Sequence, residues 1–271
     1  MNIKGKVAVV TGAAGGIGRA VALELAKRQA GTIALVDKTE AVHDLATDIN
    51  RTVGSSVATG YTGDVTEETF RTWVYEDLHQ KHGIVNICVP AAGITRDSLA
   101  VKVDKQLGKT VIYPTKTFRL VTEINLIAPI YWALEMIAGI ADFRRRTGLK
   151  RWEPTEGLLG TVIFIGSVSS QGNKGQLSYA ATKAGLEGAS STLMAEAIFH
   201  GVRTGIIHPG FTDTPMVRSL GEEYIQQNIL PQTQLRRLIQ PDEIADAICF
   251  MISNSAVSGS LWADAGWRPA A

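Results

Sequence analysis

Short apolar runs alternate with amphipathic stretches along the whole chain. The runs fall near 6–11, 32–37, 56–61, 85–90, 160–166, 203–208 and 260–264. Between them, 16–29, 40–53, 67–82, 119–141, 178–200 and 241–253 carry apolar residues at helical spacing. A continuous apolar run bounded by turn residues suits a strand buried on both faces, and strict strand–helix alternation suits a parallel sheet covered by helices. The pattern therefore predicts an α/β fold: a doubly wound, seven-stranded parallel sheet with helices on both faces, in one domain over 1–271. Local signals agree. Gly83 follows Lys81-His82 as a helix stop, and Pro241-Asp-Glu243 reads as a helix start.

In such sheets ligands bind outside the carboxyl ends of the strands. Gly12, Asp37, Asp64, Gly93, Ser167 and Pro209 all stand at the ends of predicted strands. Thr11-Gly-Ala-Ala-Gly-Gly-Ile-Gly18 lies between a Val-rich strand and a helix, the context in which a glycine-rich loop holds a dinucleotide. Gly12 permits the tight turn, Gly16 lets the backbone approach a pyrophosphate at the helix N-terminus, and Gly18 allows close helix–strand packing. Gly15 and Ile17 complete the candidate loop. Asp37 closes the second strand, nineteen residues after Gly18. An acid there accepts hydrogen bonds from an adenosine ribose and repels a 2′-phosphate, which favours NAD(H). Lys38 is the one neighbouring cation that could admit NADP(H).

Candidate chemistry sits in the second half. Tyr179 and Lys183 are four residues apart, on one face if 178–200 is helical, and Ser167 lies twelve residues earlier. An ammonium beside a phenol favours the phenolate, so Lys183 is expected to lower the pKa of Tyr179 and fit it for acid–base work. Ser167 can bond the oxygen of an alcohol or carbonyl. Ser169 and Ser170 compete for that role, but Ser167 follows the strand directly.

Taken in order, these motifs resemble the short-chain dehydrogenase/reductase family over nearly the whole chain. The resemblance implies a Rossmann-like fold, a cofactor half over about 1–120 and a catalytic and substrate half over about 121–271. It implies a catalytic set of Asn125, Ser167, Tyr179 and Lys183, with Asn125 placing a water in a proton relay and Lys183 also holding the nicotinamide ribose. It adds Asp64-Val65 at the adenine, Ala91-Ala92-Gly93 after the fourth strand, and Pro209, Gly210, Thr212 and Thr214 at the nicotinamide. Ala91 departs from the Asn usual there. Gly93-Ile-Thr-Arg-Asp97, Ile165-Gly-Ser167 and Pro209-Gly-Phe211 are similar to 3-oxoacyl-thioester reductases, which generally use NADP and carry an Arg where Gly15 stands. The expected activity is NAD(H)-dependent interconversion of a secondary alcohol and a ketone. The alternatives are reduction of a 3-oxoacyl thioester and, without catalysis, cofactor sensing. The resemblance also implies a homotetramer, with 119–141 and 178–200 at one interface, and a lid over 211–235; Met1-Asn-Ile-Lys-Gly-Lys6 runs directly into strand one without a signal peptide, so the cytoplasm is the expected location.

Composition narrows the field without redirecting it. Of 271 residues, 45% are hydrophobic and 20% charged, with a formal net charge of +1, so no nucleic-acid or membrane partner is expected. No apolar run approaches the ~18 residues of a membrane span. Cys88 and Cys249 read as core residues. The five histidines show no metal spacing, with His79 and His82 expected at the surface, His208 in a structural role, and no metal predicted. The one basic run, Arg144-Arg-Arg146 with Lys150-Arg151, is expected to be a solvated helix end or a docking face for an anionic carrier. Two segments, 101–118 and 142–157, look long for the family; the first, with Val111-Ile-Tyr113-Pro114, either shapes the substrate pocket or decorates the subunit edge.

Overall fold

The computed structural model describes residues 1–104, 106 and 108–267. Its elements in chain order are β1 (Val7–Thr11), α1 (Gly16–Lys27), β2 (Thr32–Asp37), α2 (Ala41–Val53), β3 (Ala58–Thr62), α3 (Glu68–His82) and β4 (Ile87–Pro90). A two-stranded excursion follows, β5 (Val101–Asp104) and β6 (Lys109–Ile112), and then α4 (Thr115–Thr122) and α5 (Ala128–Arg146). The chain closes with β7 (Gly160–Ile165), α6 (Leu177–Ala197), β8 (Val202–Pro209), α7 (Pro215–Arg218), α8 (Glu222–Tyr224), α9 (Pro241–Ser253) and β9 (Gly259–Ala263).

Seven strands form one parallel sheet in the order β3-β2-β1-β4-β7-β8-β9. β1, β4, β7 and β8 are buried at every position, which is why they read as unbroken apolar runs. At the β3 edge, burial falls to Ala58 and Tyr61 alone. One face packs Val21, Leu25, Ile49, Ile248 and Ile252 from α1, α2 and α9. The other packs Tyr75, Trp132, Met136, Ile140 and Leu193 from α3, α5 and α6. Cys88 and Cys249 are both buried thiols, and burial pushes each up to about 12.

Three expectations need correction. The 101–118 segment is a hairpin leading into α4, five-residue π-helical Glu123–Ile127 and α5, one helical rod over 115–146. By length and composition alone that rod could cross a membrane, although no single apolar run in it is long; Trp132, Met136 and Ile140 instead face the core. The basic run is a solvated helix end except at Arg144. Arg144 is buried, with both terminal nitrogens on Glu156 (2.5 and 3.1 Å) and further bonds to the Lys150 carbonyl. Arg145 and Arg146 pair with Asp142. The 142–157 segment thus folds back to neutralise a buried arginine. His79, expected at the surface, is half-buried, and burial lowers its pKa.

Candidate active site

The glycine loop is shaped by main chain meeting main chain. Gly12 has φ +65°, and a Cβ there would lie 2.8 Å from the Ala92 backbone. A Cβ on Gly18 would lie 2.3 Å from the Gly12 carbonyl oxygen. Gly16, at φ +51°, sits against Thr214, so the β8 loop reaches the glycine loop. Gly15 caps α1 with no side-chain bond, open space lies where its Cβ would be, and α1 carries no acid in its first turn. The free amides of that turn are a seat for an anion. Ile17 packs on the core behind the loop.

Asp37 turns its carboxylate to this loop. Oδ2 accepts from the Ala14 amide (3.1 Å), and Oδ1 accepts from the amide and hydroxyl of Thr39 (3.3 and 3.4 Å). Lys38 is exposed. Asp64 accepts from the amide and hydroxyl of Thr66 (2.9 and 2.7 Å), and buried Val65 accepts the Trp132 indole N–H on its carbonyl (2.9 Å). Beside them Ala92 donates to the Thr11 hydroxyl (3.2 Å). Glycines that no methyl can replace, uncapped helix amides and an acid at the second strand fit a dinucleotide.

The catalytic candidates converge beyond β4 and β7. Ser167 leaves β7 as the cap of a 3-10 turn and accepts from the Ser169 amide (3.1 Å). Lys183 is buried, donates to the Ile165 carbonyl (2.7 Å) and stands 5.5 Å from the Tyr179 ring centre. Burial pushes Lys183 down to about 8. Burial also raises Tyr179, with Ser167 opposing the rise and Asp97 adding to it. The expected depression of Tyr179 by Lys183 is thus not the dominant effect here: the ammonium lies against the ring, and desolvation of the phenol wins. Asn125 is fully buried in the π-helical segment, where its Oδ1 accepts from the Ile94 amide (2.9 Å) and its Nδ2 donates to the Ile94 carbonyl (2.8 Å). A Cβ on Gly93 would lie 3.4 Å from Asn125 Oδ1 and 3.9 Å from Lys183 Nζ, which puts all three together.

Ser167 and Tyr179 open onto a cleft shared with Thr95, Asp97, Gln176, Gly210 and the 211–220 segment. Phe211, Met216, Val217 and Leu220 cover it, whereas Ile225, Ile229 and Leu238 form a small core behind the cover. Thr214 caps α7 through the Val217 amide (3.4 Å), and Thr212 bonds the Gly210 carbonyl (3.2 Å). Sequence reasoning missed Gln176 and Tyr113 and gave His208 a structural role. Gln176 bonds Asp97 and Ser169 (both 2.8 Å). Tyr113 bonds Ser178, next to Tyr179 (2.8 Å). His208 is buried behind the serine, stacked on Trp262, with Nδ1 3.2 Å from the Ser167 carbonyl. Only His208 had a sequence signal, its place before Pro209.

A family model described as short chain dehydrogenase matches residues 6–225. The 3-oxoacyl-acyl-carrier-protein reductase of Escherichia coli K12 is 34% identical over 260 residues, 94% of this chain and 93% of that one. The acetoacetyl-CoA reductase of Synechocystis is 31% identical over 259 residues, 95% of this chain and 92% of that one. A short-chain type dehydrogenase/reductase structure from Mycobacterium marinum superposes with a TM-score of 0.82 at 23% identity, covering 98% and 96% of the two chains.

Proposed function

The chain belongs to the short-chain dehydrogenase family, and from that premise we propose that it interconverts a secondary alcohol and a ketone with NAD(H). The observation that supports this reading best is the meeting of Ser167, Tyr179 and Lys183 at a cleft beside the Gly12–Asp37 cradle. When bound, the nicotinamide supplies or takes the hydride. Tyr179 gives its phenolic proton to the substrate oxygen in reduction and takes it back in oxidation. Ser167 orients and polarises that oxygen. Lys183 uses one N–H on Ile165 and keeps two for a ribose hydroxyl or a proton relay; with its pKa near 8, it can pass a proton close to neutral pH. Asn125 braces the 93–97 wall through Ile94 and keeps one amide hydrogen and one oxygen lone pair for a water in the relay to Lys183. Thr214 and Thr212 carry the nicotinamide side. Asp37 selects NAD(H) by accepting from the adenosine ribose.

A second reading, reduction of a 3-oxoacyl thioester, is favoured by the names of the two relatives above. Its expected basic run is narrowed, since Arg144 is buried on Glu156, while Arg145 and Arg146 stay exposed and share Asp142. A cytoplasmic homotetramer without nucleic-acid or membrane partners accompanies both readings. The test is titration with NADH and NADPH, followed by turnover on ketones, secondary alcohols and acyl thioesters. NADH preference with ketone turnover supports the first reading; NADPH preference with thioester turnover replaces it by the second. Tyr179→Phe should lower kcat by about 10²–10⁴-fold while NADH still binds. Unchanged turnover would remove Tyr179 from the chemistry.

A further inference from the structure

The hairpin of β5 and β6 stands exposed on both faces, Lys102 as much as Val101 and Val103, and one face edges a cavity. Here Lys102 and its register partner Val111 line a chamber of about 500 Å³, while Val101 and Val103 on the other face are 59% and 66% exposed. The chamber is bounded by 95–99 on one side and by 111–114 and Thr117 on the other, with Leu99 and Val111 as apolar walls. It shares Thr95 and Asp97 with the cleft that holds Ser167 and Tyr179, so the two spaces adjoin at that wall.

Two cations stand in this chamber. Arg96 turns one nitrogen to the Thr95 carbonyl (2.7 Å), and no ion pair among the described residues engages Arg96 or Lys102. The single carboxylate shown in the lining, Asp97, accepts from Gln176 (2.8 Å). The wall is anchored rather than loose. The buried Tyr113 phenol donates to the Arg96 carbonyl (2.7 Å) and meets the Ser178 hydroxyl, and the Ser98 amide donates to the Gly175 carbonyl (2.8 Å).

We propose that this hairpin walls a second chamber of the active site in which Arg96 and Lys102 hold an anionic group at the end of the substrate remote from the reacting carbon. The inference rests on the alcohol–ketone reading and adds a substrate class to it: oxo or hydroxy compounds with an apolar spacer and a terminal anion. The apolar walls take the spacer, and the unpaired cations take the anion through charge-assisted bonds.

The test uses oxo acids from 4-oxopentanoate to 8-oxononanoate, each with its methyl ester, and acetoacetyl-CoA as the other source of anion. The ratio of kcat/KM for acid over ester should exceed about tenfold at one spacer length and fall by about tenfold in the Arg96→Gln, Lys102→Gln double variant, mainly through KM. Val103→Thr, on the outer face, should leave the ratio where it was. If acetoacetyl-CoA rather than the acids loses turnover in the double variant, the chamber stands and its anion is a phosphate. A ratio near one at every length, with acetoacetyl-CoA indifferent to the double variant, overturns the proposal. Calorimetry with 7-oxooctanoate separates this failure from failure of the catalytic reading. Binding to the wild type and not to the double variant sustains the chamber even where no ketone turns over, and equal binding or none overturns it.

Discussion

The cofactor side and the substrate side of this site are built by different means. Around Gly12 and Gly18 the walls are backbone, and an added methyl meets carbonyl and amide atoms that cannot move aside. Around the hairpin the walls are side chains on two short strands, tied back through Tyr113 and Ser98, with valines in the open. The first construction fixes one ligand geometry and constrains residue identity. The second leaves side chains free to vary with the substrate at little cost to the fold. Substitutions should therefore act on stability and cofactor on one side, and on substrate selection on the other.

The largest effect is expected at the seam, where buried Lys183 belongs to both. Its pKa falls from the ordinary 10.5 to about 8, so the folded protein holds fewer protons than the unfolded chain between those values. Stability from this group is thus present above 10.5 and lost as pH falls through 8. At neutral pH the buried ammonium costs roughly 3 kcal/mol, partly offset by its bond to Ile165. Lys183→Met should raise stability near pH 7, and its advantage over the wild type should shrink between pH 8 and 10.5. Denaturant titration of both proteins across that range checks it; an advantage that grows with pH would reverse the sign.

Next comes Gly18→Ala. Because the methyl would face the Gly12 carbonyl, the α1–β1 packing must open, costing about 1–3 kcal/mol and weakening NADH binding in the same variant. Val103→Thr should leave both Tm and NADH affinity alone. Equal losses in the two variants would erase the distinction between the regions.

That distinction also governs what could be read in advance. All seven sheet strands and the glycine loop were legible: burial on both faces gives β1, β4, β7 and β8 unbroken apolar runs, the less buried edges β3 and β9 follow from the alternation, and close approach demands glycine. The hairpin was not. Val101-Lys-Val-Asp104 is too short to separate from loop, and with Val101, Lys102 and Val103 all exposed no buried face marks it as a strand. Arg144 was misread because a charge run resembles a solvated face until Glu156 folds back onto it. The Lys183–Tyr179 spacing placed the two groups correctly, but no sequence reports how far burial of the phenol outweighs a neighbouring charge.

A smaller effect belongs to Asp37. Its carboxylate is held by Ala14 and Thr39, so it faces the loop whatever the cofactor. Asp37→Ala should cut the NADH over NADPH preference in kcat/KM by about tenfold or more, by removing charged hydrogen bonds to the ribose and the repulsion of a phosphate. An unchanged ratio would place selection elsewhere, with Lys38 the first alternative.

The smallest effect tests whether the hairpin is joined to the chemistry or only placed beside it. Tyr113 spans the two, with one bond to the Arg96 carbonyl in the chamber wall and one to Ser178, the residue before Tyr179. Tyr113→Phe keeps the ring and removes both bonds, a loss of roughly 1 kcal/mol because the freed groups can turn toward water in the chamber. If the hairpin only shapes substrate binding, KM for an elongated substrate should rise severalfold and kcat should move less. If kcat falls more than KM rises, the bond to Ser178 is holding the first turn of α6, and the substrate wall then positions Tyr179 as well as the ligand. Ser178→Ala separates these outcomes, since it cuts the helix end of the link and leaves the chamber end in place.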